Sequence, residues 1–576
     1  MQNQRNLILA IVLSVLVFVG WTLISQRYFP QTTEVVKGKS VPVPSAQTAP
    51  SAPAIVRDRT AVLKDSPRVA VLTPRVAGSI NLKGARIDDL VLLDHRETIA
   101  KNSPPVRLLS PNGAPGAYFA TFGWAGDGVT VPGPDTVWTA DSTLLSPGHP
   151  VTLRWNNGKG QAFEIMIAID ANYLFTVRQT IANAGPGAVA LKPYGLISRL
   201  GASPDVSTWT LHTGPIGAFG HGANYDVGFD NLDGKEAGFF SKITGTSARP
   251  GVNDYTTSDG WLGFGDKYWL TALVPPSGQT VNARFAPAGD QRYQADYAGQ
   301  PVVIAPGKQT AVTSRFFAGA KEVSVLDAYE RAGIPYFDRA IDWGWFVWFE
   351  KPIFSLLDWL FRHVGNFGVA IILLTCVVRA LLFPVAQRQF ASMASMRKVQ
   401  PKMKALQERY KDDKPTLQQE MMKLYQAEKV NPLAGCLPIF IQMPIFIALY
   451  KVLMLSIEMR HQPFVLWIRD LSAPDPLTPI NLFGYLPFDP PSMLHLGVLA
   501  ILLGITMWLQ MRLSPPAGDP AQQQVMMFMP WMMMLFFAPL AAGLQLYYVM
   551  NNLLSLAQQQ FLYRRTPGMR DPLPTK

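Results

Sequence analysis

The sequence predicts a multi-pass α-helical membrane protein with six transmembrane helices, joined to a large antiparallel β-sandwich domain. Three observations lead to this fold class. Hydrophobic residues make up 48% of the 576 residues, charged residues only 16%, and the mean hydropathy is +0.12, which is typical of a membrane protein with a sizeable soluble part. Several apolar runs are long enough to span a bilayer. Between the first two runs, short segments of alternating polarity are separated by turn residues.

The first apolar run predicts an N-terminal transmembrane anchor at residues 1–25. The stretch Leu7–Ile24 carries no charge and would reach about 27 Å as a helix, close to the hydrocarbon thickness. No small-x-small cleavage site follows it directly, which favours an anchor over a signal peptide. Arg5 on the short N-terminal side predicts that the N-terminus is cytoplasmic. Residues 26–66, rich in Pro, Ala and Ser, are predicted to be a flexible linker.

Residues 67–335 predict the antiparallel β-sandwich. Segments such as AFEIMIAI (162–169) and QTVNARFAPA (279–288) alternate in polarity, and glycine-rich turn signals separate such segments. The polar cluster DHRE (94–97) is predicted to be a solvated turn. A catalytic role is not predicted for these four residues, because no second set of His and Asp residues lies at a spacing that would support catalysis.

The C-terminal part predicts an interfacial helix followed by five more spans. Residues 336–363 are rich in Trp and Phe with charges interspersed, which suits the headgroup zone of a bilayer. The predicted spans are 364–384, 432–455, 493–511, 525–541 and 542–562. The predicted connections are a cytoplasmic helical hairpin at 385–431, an outer loop at 456–492, a cytoplasmic loop at 512–524 and a basic cytoplasmic tail at 563–576.

The charge distribution agrees with this topology. Residues 385–430 contain ten Lys or Arg against five Asp or Glu, whereas Arg460 and Arg469 are the only Lys or Arg in the outer loop. Because Lys and Arg concentrate in cytoplasmic loops, the net charge of +11 needs no nucleic-acid partner to explain it. Cys376 and Cys436 both lie in apolar runs, so neither a disulfide framework nor a cysteine-based zinc site is predicted.

Arg379 is a permanent cation inside the second predicted span. An unpaired arginine at mid-bilayer costs roughly 3 to 17 kcal/mol, and no acidic residue lies inside any predicted span. The side chain either snorkels toward the wet end of the helix, about 13 Å away at Arg388, or lines a water-filled recess. The six methionines between Met526 and Met534 favour the recess, because methionine adapts to varied apolar partners.

Long motifs in the C-terminal part resemble the YidC family of membrane protein insertases. They are GNFGVAIILLTCVVRALLFP (365–384), SMRKVQPKMKALQERYKDDK (395–414), NPLAGCLPIFIQMPIFIALY (431–450), DPAQQQVMMFMP (519–530) and GLQLYYVMNNLLSLAQQQ (543–560). The anchor and β domain are similar to those of Gram-negative members with a large periplasmic domain. No early lipobox cysteine of the Gram-positive form is present.

The resemblance implies an insertase and chaperone with a five-helix core. In the family, this core forms a hydrophilic groove open to the cytoplasm and to lipid. The groove positions of the family match Arg379, Thr375, Gln442, Gln510, Tyr547 and Tyr548 here. The hydrophobic exit positions match Met443, Phe446, Met526, Met529 and Met533. The resemblance implies that a polar segment of the client enters the groove while its apolar segment slides into lipid, without catalysis, nucleotide, metal or cofactor.

The resemblance also implies partners and a location. Expected partners are nascent membrane proteins, the SecYEG and SecDF translocon components, and the lipid bilayer. The ribosome and the signal recognition particle or its receptor are expected to meet residues 385–431 and the C-terminal tail. The expected location is the inner membrane of a Gram-negative bacterium, with both termini cytoplasmic. The alternative function is a transporter or channel with a sugar-binding periplasmic domain. The missing intramembrane acid and the lack of paired broken helices argue against it.

Overall fold

A computed structural model describes most of the chain, in two compact units, Met1–Asp342 and Trp343–Lys576. The predicted anchor, nearly all of the predicted linker and most of the basic tail lie outside the described residues. The described residues are 56–205, 211–220, 222–235, 250–289, 291–410, 413–428, 437–483, 485–486, 488, 496–513 and 520–565.

The described part of the first unit is dominated by β-strands, as predicted. Its three short helices are α1 (Arg59–Leu63), α2 (Phe229–Leu232) and α3 (Val323–Arg331). Its strands are β1 (Arg68–Leu72), β2 (Val76–Asn81), β3 (Arg86–Arg96), β4 (Pro105–Leu109), β5 (Tyr118–Ala125), β6 (Thr139–Ala140), β7 (Leu144–Leu145), β8 (Val151–Asn156), β9 (Gln161–Ile169), β10 (Leu174–Asn183), β11 (Val189–Leu200), β12 (Gly214–Phe219), β13 (Ala223–Asn224), β14 (Asn253–Thr257), β15 (Gly260–Gly265), β16 (Trp269–Val274), β17 (Val281–Pro287), β18 (Arg292–Ala298), β19 (Val302–Ile304) and β20 (Lys308–Ala320).

These strands form two sheets that pack face to face. One sheet runs β14-β17-β18-β11-β5-β3-β2-β1-β7, with β4 and β19 attached, and the other runs β13-β12-β15-β16-β20-β10-β9-β8-β6. Among the described strands, all pairs are antiparallel except β1 with β7. Trp124 and Phe163 meet across the core with ring centroids 5.1 Å apart, and the Tyr297 hydroxyl donates to Ser314 Oγ at 2.6 Å. Alternating side chains of each strand thereby fill the space between the sheets.

The prediction that DHRE (94–97) forms a solvated turn is wrong. Strand β3 continues through Arg96, and the bend begins at Glu97. The strand continues because β3 pairs with β4 as far as Arg96, which lies opposite Pro105. Arg75 also binds both Asp94 and Glu322, and His95 Nε2 lies 3.5 Å from the Glu322 carboxylate.

Lys321 follows strand β20 and is almost completely buried, with 4% of its surface exposed. Burial lowers its pKa to about 8, although the nearby carboxylates of Asp266, Asp342 and Asp205 act in the opposite direction. In the unfolded chain the pKa of lysine is about 10.4. Between pH 8 and roughly pH 10.4 the unfolded state holds the extra proton, so the free energy of unfolding rises with pH across this window.

We expect Lys321→Met to stabilise the β-rich unit at pH 7 by up to about 3 kcal/mol, the free energy that corresponds to the difference between the two pKa values. The substitution should also remove the rise of stability above pH 8. Chemical denaturation of the full chain in detergent, followed by its β-sheet circular dichroism at several pH values, measures both effects. Lys308→Met, at the exposed start of the same strand, is the matched control. Equal pH slopes in both variants would contradict the expectation.

The described part of the second unit is helical. Its helices are α4 (Val347–Val364), α5 (Phe367–Leu381), α6 (Phe383–Arg409), α7 (Lys414–Ala427), α8 (Leu437–Leu455), α9 (Val498–Leu513), α10 (Pro520–Phe537) and α11 (Ala542–Arg565). Short 3₁₀ turns lie at Gly344–Phe346, Ile457–Met459 and Pro479–Asn481. None of the helices in the described part of the chain is both long enough and apolar enough to cross a membrane.

Helices α6 and α7 occupy the region of the predicted hairpin. Val399 and Met403 of α6 pack against Met421, Leu424 and Tyr425 of α7. Asp413 caps α7 by accepting from the Thr416 N–H at 3.2 Å.

Helix α6 follows α5 after a single residue, Leu382. The Leu382 N–H donates to the Val378 carbonyl, and the Ala386 N–H donates to the Leu382 carbonyl, both at 3.0 Å. The two helices are therefore joined without a loop, and Pro384 sits in the first turn of α6, where its missing N–H costs little.

Candidate functional site

Helix α5 directs Arg379 toward the interior of the helical unit. Asn366 caps the start of the helix, because its side chain accepts from the Val369 N–H at 3.1 Å. Phe367, Ile371 and Thr375 are buried and recur every four residues. Arg379 continues the same stripe one turn later, because residues four apart share a helix face. It is half-buried.

The guanidinium of Arg379 is held by a neutral partner on α11. Its Nε donates to Asn551 Oδ1 at 2.8 Å, and Asn551 is buried. Within the described residues, no carboxylate forms an ion pair with Arg379. An arginine carries five N–H donors, so this single bond fixes the orientation of the side chain and leaves its charge uncompensated by an acid.

A second polar contact reaches the same face of α11 from α8. Gln442 Nε2 donates to the Tyr547 hydroxyl at 3.2 Å, and Tyr547 is buried. Tyr547 and Asn551 are four residues apart, so they lie on one face of α11. Helices α5, α8 and α11 thus meet at a group of polar side chains. This group, called the polar cluster below, consists of Arg379, Asn551, Gln442 and Tyr547.

Thr375 does not join the polar cluster through its hydroxyl. The side chain is fully buried, and Oγ1 donates to the Ile371 carbonyl of its own helix at 2.6 Å. Its hydrogen-bonding capacity as a donor is therefore used within α5. Gln510 is half-buried near the end of α9.

The ring of Tyr548 packs mainly against aromatic residues beside the polar cluster. Its ring lies 5.6 Å from that of Phe446 on α8 and 4.5 Å from that of Phe537 on α10, measured between centroids. Its ring also meets Tyr547 edge-on at 5.2 Å. Aromatic residues of α8, α10 and α11 thereby pack together beside the polar cluster.

Helix α10 presents two different apolar faces. Met526, Met529 and Met533 are half-buried. The other face is exposed and consists of Met527, Phe528, Trp531, Met532, Leu535 and Phe536. The side chain of Met443 lies outside the described residues. The predicted exit residues on α10 therefore border the helix bundle, whereas the exposed face could meet lipid directly.

Besides Asn551, three more buried amides on α11 were not predicted from the sequence. Gln545 Nε2 donates to the carbonyls of Phe537, Ala538 and Leu540 at 2.8–3.2 Å. Asn552 Nδ2 donates to Thr506 Oγ1 at 3.2 Å, and Gln559 Nε2 to the Leu513 carbonyl at 3.1 Å. They tie α9 and α10 to α11. Their seven-residue spacing was the available signal, since residues seven apart share a helix face.

The polar side chains that meet in the helical unit are one cation, two amides and one phenol. Within the described chain, the one group of at least three His, Cys, Asp or Glu side chains close enough together to share a metal ion is Asp327, Glu330 and Asp338 of the β-rich unit. Asp327 and Glu330 are half-buried, and Asp338 is buried and lies 3.4 Å from Arg339. The polar cluster is suited to binding a polar or acidic segment by charge and hydrogen bonds.

Two family profiles match the chain. The profile described as "60Kd inner membrane protein" matches residues 359–569, and the one described as "YidC periplasmic domain" matches residues 68–356. Together they cover both the helical unit and the β-rich unit.

Relatives match over nearly the whole length. Membrane protein insertase YidC of Zymomonas mobilis is 51% identical over 575 residues, which are 99% of this chain and 97% of the relative. The protein of the same name from Rhizobium etli is 43% identical over 592 aligned residues, 98% of this chain and 96% of its own. A solved YidC insertase structure with its first transmembrane domain resolved covers 86% of this chain and 92% of its own, with 20% identity and a TM-score of 0.36.

Proposed function

Because the chain belongs to the YidC family of membrane protein insertases, we propose that it inserts nascent proteins through a recess built around the polar cluster. The chain is an inner membrane insertase and not an enzyme. Its substrates are nascent membrane proteins. The recess, its residues and the route of the substrate are the proposed part.

One observation carries the proposal: Arg379 is bonded to Asn551 inside the bundle and has no acidic partner among the described residues. A snorkelling arginine would extend along its own helix toward water. A half-buried cation that is positioned by a neutral amide instead keeps a net attraction for incoming negative charge.

The proposed route follows the change from polar to apolar contacts. The polar segment of the client enters beside Arg379, Gln442 and Tyr547. Its apolar segment leaves past Phe446, Tyr548 and the half-buried methionines of α10. The transfer of apolar surface from water to lipid supplies the free energy, and the membrane potential helps an acidic tail to cross.

We further propose the topology and the remaining partners. Six spans, with α5 and α8–α11 as the five-helix core, place both termini and the α6–α7 hairpin in the cytoplasm, and α4 lies at the outer membrane surface. The basic excess of residues 385–430 supports this orientation. The hairpin and the C-terminal tail would meet the ribosome and the signal recognition particle or its receptor. SecYEG and SecDF would be lateral partners, and the β-rich unit would lie in the periplasm.

Purified protein in liposomes tests the function. We expect a small single-span protein with an acidic tail to insert faster into these vesicles than into empty ones, because the recess lowers the barrier for its polar tail. Protease protection of the translocated tail measures the rate. Equal rates would contradict the insertase function, and a flux of small solutes through the vesicles would favour a transporter instead.

A further inference from the structure

The loop between α8 and α9 has two exposed groups of uncharged, apolar residues, called the tips below. The first tip is Pro463, Val465 and Leu466, with Leu466 85% exposed. The second tip is formed by Leu482, Phe483, Tyr485 and Leu486, with Tyr485 88% exposed. Such large apolar side chains seldom gather at exposed loop ends unless they have a binding role.

Described residues at the base of the tips are tied together by hydrogen bonds. Asp475 is buried and accepts from Trp467 Nε1 at 2.9 Å and from the N–H groups of Leu477 and Leu499 at 3.0 and 2.8 Å. Leu466, Leu482 and Phe483 all have positive φ angles, of 58°, 50° and 58°. Bulky residues rarely adopt this left-handed conformation, so the surrounding bonds hold these residues in an outward-facing position.

The first tip is docked beside the start of α5, next to the end of α4. Asn366 Nδ2 donates to the Phe464 carbonyl at 3.1 Å. A β-carbon on Gly368 would lie 2.0 Å from the Phe464 ring, so the ring rests directly on the helix backbone. Helix α4, which ends at Val364, exposes Trp348 and Trp359. The tip therefore adjoins a helix whose exposed tryptophans are typical of a membrane surface.

The described carboxylates of the loop are buried or half-buried, whereas one of its arginines is exposed. Of its described carboxylates, Asp475 is buried, Asp470 is mostly buried and accepts from the His461 and Ser472 N–H groups, and Glu458 is half-buried. Arg469 is exposed. The outward surface thus combines apolar side chains with a cation and presents no fully exposed described carboxylate. The headgroup region of a bilayer accommodates such a surface, because apolar side chains reach the acyl boundary there while a cation stays among the headgroups.

We propose that this loop is a second interfacial anchor, whose two apolar tips insert into the headgroup region of the outer leaflet. The proposal rests on the proposed topology, which places the loop on the outer side. The occupant is lipid, because the loop joins two apolar helices and continues the surface of α4. Together with α4, the anchor would fix the outer end of α5 relative to the membrane surface.

Photocrosslinking from the tips tests the anchor in the full chain. The photoreactive residue p-benzoylphenylalanine replaces Leu466 or Tyr485, and the purified variants are placed in vesicles of phosphatidylethanolamine and phosphatidylglycerol. We expect a mass increase of one phospholipid on the peptides that contain either tip. The matched control is Val303, an apolar residue on β19 that is 69% exposed, where no adduct above background is expected.

The proposal would be overturned by the lack of a lipid adduct at either tip, or by equal adducts at the tips and at Val303. Crosslinks to a protein instead of lipid in native membranes would also overturn it. The same vesicles are assayed for insertion of an acidic-tailed substrate. Retained insertion without tip adducts rejects the anchor alone, whereas lost insertion in the unsubstituted chain rejects the proposed function.

Discussion

Arg379→Ala is expected to slow the insertion of an acidic-tailed, single-span substrate about tenfold or more, whereas Arg379→Lys is expected to keep most of the rate. Two charges 4 Å apart attract by about 4 kcal/mol at an effective dielectric constant of 20, and water in the recess reduces this value. A loss of about 1.4 kcal/mol already lowers a rate tenfold. Lysine keeps the charge and loses only the bond from Nε to Asn551.

The control for this prediction is a second substrate with a neutral tail. Its insertion should change little in Arg379→Ala, because a neutral tail gains little from the cation. Protease protection in the same proteoliposomes measures both substrates. Unchanged insertion of the acidic-tailed substrate by Arg379→Ala would mean that the arginine only snorkels.

Asn551→Asp is expected to mimic the loss of Arg379 while leaving the arginine in place. Asn551 Oδ1 lies 2.8 Å from Arg379 Nε, so a carboxylate at this position would form a charge-assisted hydrogen bond with the guanidinium. The internal ion pair would cancel the attraction for an incoming acidic tail. We expect the insertion rate of the acidic-tailed substrate, divided by that of the neutral-tailed one, to fall about tenfold, to the level of Arg379→Ala.

Asn552→Asp is the matched control, since it makes the same change one residue further along α11. Asn552 contacts Thr506 on α9 and not Arg379. Any general cost of burying a carboxylate should therefore lower both substrates alike and leave the ratio of their rates unchanged. If both aspartate variants shift the ratio equally, the specific pairing with Arg379 is refuted.

The β-rich unit was largely predictable because its strands alternate in polarity. AFEIMIAI falls within β9 and QTVNARFAPA covers β17, with ends within two residues of the prediction. The order of strands in the two sheets was not predictable, since pairings such as β11 with β5 join residues far apart in sequence. The extension of β3 through Arg96 was missed because it depends on pairing with β4, where Arg96 lies opposite Pro105, and the polar composition of DHRE does not reveal that pairing.

The residues expected at the site were named from the family motifs, whereas their contacts could not be predicted. The spacing of Ile371, Thr375 and Arg379 places all three on one face, but it left open whether Arg379 snorkels toward Arg388 or lines a recess. Its partner Asn551 was missed because a single asparagine in a helix carries no distinctive signal. Thr375 was expected to line the groove, yet its hydroxyl bonds to the Ile371 carbonyl, a choice that sequence spacing does not reveal.

The junction at Leu382 gives the hairpin a mechanical role. Helix α6 spans 27 residues, about 40 Å at 1.5 Å per residue, and it meets α5 without a loop, one turn beyond Arg379. Backbone hydrogen bonds run through this connection without a break, so we expect it to transmit a displacement of α6 to α5, where a loop would absorb it. We therefore expect the helix that carries Arg379 to follow movements of the hairpin.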